Sequence, residues 1–272
     1  MGREVLDEDP GAAGGPGAGL RSSLAAPDRG FCGLDTIRKR EEMPPMKENK
    51  PWQILNGTAL KLIAMVSMVF DHVGDNFFPE AVWMRVIGRI ALPIFAFCVA
   101  EGYLHTRDRK KYLLRLGIFA LVSEIPFDLV TAGKLLEFGH QNIMLTFFWA
   151  ILGLLCYDAL REKLKKGGTV LGLLTLLAFA AGSLFLGMDY GILAVGIIFI
   201  YVLLRDKALP WRNAAAMAYH ILLRNVGIYW FGLLGFLPLF LYNGKKGRGL
   251  KWLFYLFYPG HLLLIWGIRL LL

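Results

Sequence analysis

The chain has 272 residues, of which 56% are hydrophobic, and a formal net charge of +9. Soluble domains hold about 45–50% apolar residues, so this excess argues against a water-soluble globular protein. The basic residues lie in short segments between long apolar runs, which is typical of membrane topology and argues against a nucleic-acid-binding surface. The three cysteines, Cys32, Cys98 and Cys156, are far apart and indicate neither a disulfide framework nor a metal site.

The first 53 residues differ from the rest of the chain. A segment rich in Gly, Ala and Pro at 11–19 leads into the mixed charges of 37–42. Such a composition offers too little apolar area to offset chain entropy, so we predict a disordered cytoplasmic tail over 1–53. Met43 and Met46 precede the first apolar run, and we expect the physiological start at one of them, with the earlier residues an upstream extension. Residues 54–272 are predicted to form one multi-span transmembrane domain.

Apolar runs follow one another to the end of the chain. A helix needs about 20 apolar residues to cross the hydrocarbon layer of a bilayer. Clear candidate spans lie at 54–78, 82–104, 112–131, 142–160, 170–186, 190–204 and 252–272. The sequence therefore predicts an all-α polytopic transmembrane bundle.

The charges of the loops predict the topology. Basic residues concentrate in the loops 105–111, 161–168, 205–212 and 244–251, whereas the intervening loops contain a single basic residue, Lys134. By the positive-inside rule, the four basic loops are cytoplasmic. Residues 213–243 must then enter the membrane and return, with a turn at 224–227 and a short first arm that is either re-entrant or tilted. We expect about nine membrane segments, within a range of 8–10, with the N-terminus inside and the C-terminus outside.

The first span carries Asp71 and His72 near its outer end. Ionisable side chains inside a bilayer are costly, so they usually mark a functional site or a structural ion pair. A histidine can act as a general base at neutral pH. Because neighbouring residues point about 100° apart on a helix, we expect Asp71 to orient a group other than His72, such as an arginine.

The second span opens with Arg85 and Arg89, which share one helix face. Two arginines on one face form a fork for a carboxylate, a phosphate or an oxyanion. Ion pairing with Asp71 and Asp75 is the alternative. Pro93 is expected to kink this span and to free carbonyl groups near the site.

The third span contains Glu124, followed by Pro126, which we expect to open the helix backbone around the glutamate. Glu124 is a candidate for the site or for a structural pair. Arg107, Arg109 and Arg115 lie towards the cytoplasm, where they would bind an anionic cofactor or simply set the topology.

Further polar residues fall at outer-to-middle depth in the remaining spans. A convergence of polar groups from several spans predicts a hydrated cavity. No Walker, HExxH, GxSxG or GxGxxG motif is present. The additional candidates for binding substrate or an oxyanion are Asn142, Thr146, Asp189, Tyr190 and His261.

Several of these segments together resemble the TraX family of integral membrane proteins. The resemblance extends from about Leu55 to the C-terminus and depends on the order and spacing of many short stretches. These are LKLIA at 60–64, FDH at 70–72, IGRIALPIF at 87–95, RL at 115–116, SEIPF at 123–127, Asn142 with Thr146, MDYG at 188–191, YNG at 242–244 and FYPGH at 257–261.

The resemblance implies acetyl transfer from acetyl-CoA, since the type member of the family acetylates the N-terminal amine of F-type conjugative pilin within the membrane. The family is also similar to the wider group of multi-span acyltransferases that use a membrane histidine. The residues that carry over as candidates are Asp71, His72, Arg89, Glu124 and Asn142. The acceptor does not carry over, and a peptide N-terminus or an envelope glycan are the classes expected. The expected partners are membrane lipid and acetyl-CoA. The expected location is the bacterial cytoplasmic membrane.

These observations lead to one mechanistic hypothesis and two competitors. In the first, His72 deprotonates an acceptor as it attacks the thioester, and Arg85 or Arg89 stabilises the oxyanion. A proton- or ion-coupled transporter also uses buried ionisable residues, although no inverted repeat is evident. A membrane scaffold in which polar residues only join helices is the third possibility.

Overall fold

The computed structural model of the chain describes residues 51–164, 166–223 and 227–272, all within one structural unit, Met43–Leu272. These residues are helical apart from loops and two isolated backbone bridges, so the predicted all-α class is confirmed for them. The predicted tail falls almost wholly outside them. The helices are α1 (Gly57–Phe77), α2 (Val82–Gly88), α3 (Ala91–His105), α4 (Arg109–Thr131), α5 (Ile143–Lys163), α6 (Gly168–Phe185), α7 (Gly191–Leu203), α8 (Leu209–Leu223), a 3-10 helix (Gly227–Phe236), α9 (Leu237–Phe240) and α10 (Lys251–Leu271).

The protein is a multi-pass membrane protein. In the described part of the chain, five helical segments are long and apolar enough to span a bilayer, and two shorter apolar helices accompany them. Large apolar side chains cover the outside of the bundle, as a lipid-facing surface requires, for example Leu121 on α4 and Leu177 on α6. The five long segments are Gly57–Phe77, Val82–His105, Ile143–Lys163, Gly168–Phe185 and Trp252–Leu271.

The basic loops lie together at one end of the bundle. Arg109 donates to Asp158 at 2.6 Å, which joins the start of α4 to the end of α5. Arg212 donates to Glu101 at 3.0 Å, which joins α8 to α3. The amide of Gly57 donates to the carbonyl of Lys245, which joins the loop before α10 to α1. The loops therefore share one side, and their cytoplasmic orientation stays a prediction.

The described helices make nine passes between the two ends, if α2 with α3 and the 3-10 helix with α9 are each counted as one pass. This agrees with the predicted number. The return over 213–243 is also present, because α8 starts at the basic end and Tyr242, after α9, pairs with Leu55 before α1. The predicted turn residues 224–226 lie outside the described residues. The 15 residues of α8 span only about 22 Å, less than the hydrocarbon layer.

The second pass is distorted just before Pro93, at Arg89 and Ile90, although both residues keep helical backbone angles. Helix α2 ends at Gly88, and the amides of Arg89 and Ile90 make tight bonds to carbonyls three residues earlier. Helix α3 then restarts at Ala91, which places Pro93 in its first turn, where an amide hydrogen is not needed. The distortion lies three and four residues before the proline, where a proline acts on a helix, in agreement with the expected effect of Pro93.

The expectation that Pro126 opens the backbone around Glu124 is wrong. Helix α4 continues through the proline from Arg109 to Thr131. Membrane helices tolerate an internal proline because surrounding groups and small backbone adjustments accommodate it. Here α4 is packed against α5 and α10 along its length, and the side-chain amide of Asn142 donates to the carbonyl of Ala120 at 2.9 Å.

The core lies between α3, α5 and α7. Ile94, Phe97 and Tyr103 on α3 are almost completely buried, as are Ile197 and Tyr201 on α7. The ring of Phe97 meets the ring of Tyr201 edge-on at 5.0 Å. The core therefore runs along α3 from the level of the cavity, which Leu92 and Phe95 line, towards the basic end.

Candidate functional site

A cavity of about 370 Å³ lies at the end of the bundle opposite the basic loops. Ligand pockets commonly hold about 300–1,000 Å³, so the space suits a small organic ligand. Its walls come from α1, α2, α3, α4, α5, the 3-10 helix, α10 and the loops that precede α5 and α7. Its polar lining residues are Asp71, His72, Asp75, Asn76, Arg85, Arg89, Thr131, His140, Asp189, Tyr190, Tyr229 and Tyr258.

Asp71 is the centre of an ion-pair cluster that joins α1 to α2. Its Oδ1 accepts from Nε of Arg85 at 2.7 Å and from Nη2 of Arg89 at 2.5 Å, and its Oδ2 accepts from the same Nη2 at 2.5 Å. Arg85 Nη1 also pairs with Asp75. Asp71 therefore orients the arginines and not the His72 ring. Gly88 makes this approach possible, because an added Cβ there would lie 2.2 Å from the Cβ of Asp71.

Arg85 and Arg89 differ in whether all the nitrogens of their guanidinium groups are hydrogen-bonded. Arg89 is only 6% exposed, and each of its three nitrogens has a partner, namely Asp71, the hydroxyl of Tyr190 at 2.5 Å and the carbonyl of Arg85 at 3.3 Å. The rings of Tyr190 and Tyr229 also lie against its guanidinium, at 5.7 and 5.5 Å. Arg85 is 30% exposed, and its Nη2 has no hydrogen-bond partner among the described residues. Arg85 is thus the arginine with a donor available to a ligand.

His72 meets His261 at the side of the cavity. Nδ1 of His72 lies 3.0 Å from Nε2 of His261, and Nδ1 of His261 lies 2.9 Å from the carbonyl oxygen of Phe257. The two ring planes are 24° apart, with centroids separated by 5.0 Å, so the rings meet edge to edge. Phe257 stacks on the face of His261 at 4.8 Å and separates it from the lipid-facing surface of α10. The pairing of these histidines, from the first and last helices, was not expected from the sequence.

Tyr190 directly precedes α7 and has a positive φ of 54°, a conformation that is strained for a residue with a side chain. The chain around it is fixed by a short parallel pairing between Gln141 and Met188. The hydroxyl of Thr146 donates to the carbonyl of Asp189 at 2.9 Å. Thr146 therefore supports the Asp189–Tyr190 turn from behind and does not line the cavity.

Glu124 and Asn142 also lie outside the cavity lining. The side chain of Asn142 caps α5, since its oxygen accepts from the amides of Met144 and Leu145 at 2.9 and 3.2 Å. Its amide nitrogen donates to Glu124. The arrangement gives Asn142 a capping role and ties α4 to α5. Glu124 does not line the cavity, and its Oε1 is buried without a hydrogen-bond partner within the described residues.

The candidate cofactor-binding arginines lie at the basic end, far from the cavity. Arg109 is paired with Asp158 and lies over the ring of Tyr103, and Arg115 lies over the ring of Tyr112. Arg107 is exposed. From Arg109 to Phe127 in the cavity wall, α4 rises by about 27 Å. The structure thus brings together Asp71, His72, Arg85, Arg89, Asp189, Tyr190 and, behind His72, His261, but not these three arginines.

Four polar cavity residues, Asn76, Thr131, His140 and Tyr229, were not identified from the sequence. Tyr229 lies on the 3-10 helix, whose path no sequence pattern reveals. His140 precedes α5, and its Nε2 lies 3.8 Å from Oδ1 of Asp189. The loop that holds His140 is tied to α4, because the amide of Glu137 donates to Asp128 at 2.7 Å. A hydrogen bond from Lys134 also lowers the pKa of the Glu137 carboxyl.

In the described part of the chain, no group of three or more His, Cys, Asp or Glu side chains is suited to hold a metal ion.

Comparison with known proteins places the chain in a family. A model described as TraX protein matches residues 56–269. A probable fimbrial assembly protein, FimC of serogroup H1 from Dichelobacter nodosus, is 31% identical over 246 residues, which cover 78% of this chain and 95% of the relative. An uncharacterised protein of Rickettsia prowazekii (strain Madrid E) is 27% identical over 146 residues, 52% of each chain. No solved structure matches the chain. Because the family model covers well over half of the chain, including the ion-pair cluster and the histidine pair, this multi-pass membrane protein belongs to the TraX family.

Proposed function

We propose that the protein is a membrane-embedded acyltransferase that moves an acetyl group from acetyl-CoA to an amine or hydroxyl acceptor. The observation that carries the proposal is the presence of His72 and the free Nη2 of Arg85 in the same cavity. A proton acceptor and a cationic hydrogen-bond donor are the two groups that acyl transfer requires of an enzyme. His72 is held by a hydrogen bond to the buried His261, and Arg85 by bonds to Asp71 and Asp75, which favours a preorganised site.

The reaction would proceed by attack of the acceptor nitrogen or oxygen on the thioester carbonyl carbon. His72 takes the proton that the acceptor loses as the new bond forms. The negative charge on the carbonyl oxygen is stabilised by Nη2 of Arg85. The intermediate then collapses, the carbon–sulfur bond breaks, and the thiolate of CoA takes the proton from His72. The products are the acetylated acceptor and CoA.

We expect acetyl-CoA, the acetyl donor, to bind at the basic end of the bundle, where Arg107 and the neighbouring lysines offer positive charge to the phosphates of CoA. Since His72 lies 15 residues beyond Gly57 on α1, the thioester would have to reach roughly 22 Å from that end. Arg109 would contribute less than Arg107, because its guanidinium is already paired with Asp158. The long arm of CoA would then pass between helices to bring the acetyl group to the cavity.

The acceptor is proposed from the relative. The Dichelobacter nodosus protein is named as a probable fimbrial assembly protein, which supports a fimbrial or pilus subunit, through its N-terminal amine, as the first acceptor to test. An envelope glycan is the second. The cavity lies at the predicted outer end of the bundle, where either acceptor would be presented.

The test is label transfer from acetyl-CoA by the purified protein in lipid nanodiscs, with a primary amine as probe acceptor. We expect the wild type to release CoA, and His72→Ala to lose the activity by roughly 10²- to 10⁴-fold, the usual contribution of a general base. His105→Ala is the matched control, since its ring lies at the basic end beside Glu101. Equal turnover by His72→Ala and wild type would overturn the proposed base. Proton- or ion-driven solute uptake by vesicles without CoA release would instead support a transporter.

A further inference from the structure

The histidine pair has a fixed direction of hydrogen bonding. The carbonyl oxygen of Phe257 can only accept, so Nδ1 of His261 must carry the hydrogen of that 2.9 Å bond. A neutral imidazole has one donor and one acceptor nitrogen, so Nε2 of His261 is left as an acceptor. The 3.0 Å contact then requires Nδ1 of His72 to be the donor. The lone pair of His72 is consequently on Nε2.

We infer that His261 is a positioning residue that holds His72 in the Nδ1-protonated tautomer, so that Nε2 of His72 is the atom that accepts the proton of the acceptor. This inference rests on the proposed function for its catalytic meaning, although the tautomer itself does not. It reassigns His261, which the sequence analysis placed among the residues that bind substrate or an oxyanion.

The surroundings of the pair support this role. Phe257 covers one face of the His261 ring, at 4.8 Å and 9° between planes, and the ring of Tyr258 lies 5.6 Å away at a tilt. His261 itself is 8% exposed, so water does not compete for its nitrogens. Asp71, the residue next to His72, is committed to Arg85 and Arg89 and does not bind the His72 ring. Among the described residues, His261 is therefore the group that orients His72.

The same contact also serves the reaction. When His72 accepts a proton on Nε2, its ring becomes cationic while Nδ1 keeps its hydrogen. That hydrogen still points at the lone pair of His261, and a hydrogen bond from a charged donor is stronger than one from a neutral donor. The bond therefore strengthens as the positive charge forms. No proton has to move from His72 to His261, and the proton on Nε2 is passed to the thiolate of CoA.

The test uses two substitutions of similar size that differ in hydrogen-bonding capacity. His261→Phe keeps a ring against Phe257 but offers no acceptor, whereas His261→Gln can place its amide oxygen near the position of Nε2. We expect His261→Phe to lower CoA release from acetyl-CoA roughly 10- to 100-fold, below the full contribution of the base, and His261→Gln to restore most of it. A purely structural role for the ring would give the opposite order.

A second measurement is independent of turnover. Nitrogen-15 NMR of histidine-labelled full-length protein in nanodiscs distinguishes protonated from unprotonated ring nitrogens, with His72→Ala used for assignment. We expect His72 to be protonated at Nδ1 and unprotonated at Nε2 in the wild type, and to lose this preference in His261→Phe. A hydrogen on Nε2 of His72 in the wild type, or an unchanged tautomer in His261→Phe, would overturn the inference. Full activity of His72→Ala would overturn the proposed base and leave the tautomer assignment standing.

Discussion

Removing the carboxylate of Asp71 should destabilise the fold strongly, because it leaves Arg89 buried without its counter-ion. Arg89 is 6% exposed and would keep only the hydroxyl of Tyr190 and a backbone carbonyl as partners. Removing one partner of a buried ion pair typically costs about 3–5 kcal/mol of unfolding free energy. Arg85, which is 30% exposed, can be rehydrated and adds little to this cost. We therefore expect Asp71→Ala to lower the unfolding free energy by about 3–5 kcal/mol.

The assay is equilibrium unfolding in mixed detergent micelles, followed by tryptophan fluorescence. Asp75→Asn is the matched control, because that side chain is 55% exposed and its pair with Arg85 should contribute about 0–1 kcal/mol. The double variant Asp71→Ala with Arg89→Leu should be more stable than the sum of the two single changes by about 1–3 kcal/mol, since the unpaired charge is gone. A loss below 1 kcal/mol in Asp71→Ala, or strict additivity, would refute this reasoning.

Three further results are expected. Gly88→Ala should lower the unfolding free energy by about 1–3 kcal/mol, because the added Cβ would lie 2.2 Å from the Cβ of Asp71. The control is Gly260→Ala, where an added Cβ has nothing within 4 Å, and it should be neutral or slightly stabilising in the same assay. Asn142→Ala should lose about 0.5–2 kcal/mol with its cap, and a neutral result in thermal unfolding would contradict the capping role. In a cysteine-free background, a membrane-impermeant thiol reagent should label Phe138→Cys in intact cells and Lys207→Cys only after lysis, and the reverse pattern would invert the topology.

The sequence was sufficient for the fold because long apolar runs and short basic loops are properties of local composition. The helix bounds at α1, α5 and α10 follow the predicted spans within a few residues, and charge parity gave the return over 213–243. The distortion at Arg89 and Ile90 lies where Pro93 was expected to act, but the restart of α3 at Ala91 was not predictable from Pro93 alone. A proline can kink a helix or begin a new one, and the choice here goes with the close approach of Gly235 to the carbonyl of Ile90.

The site was only partly predictable, for a geometric reason. Residues on one helix, such as Arg85 and Arg89, can be placed on a common face from spacing alone. The contact between His72 and His261 joins residues 189 positions apart, and depends on the rotation of two helices about their axes, which no local pattern fixes. Glu124 satisfied every sequence criterion for a buried functional acid. It lies beside the cavity because Asn142, which caps α5, holds it there.

The interruption of the second pass has a mechanical consequence. Helix α2 has only seven residues, and it connects to α3 at Arg89, which belongs to the ion-pair cluster. Helix α2 packs closely on α1, with Met84 against Gly74 and Gly88 against Asp71, and Arg85 adds bonds to two carboxylates of α1. A ligand that binds Asp71 or Arg85 would therefore compete with bonds that hold α2 against α1. The cavity lining and the contact between α2 and α1 thus share three charged side chains, Asp71, Asp75 and Arg85.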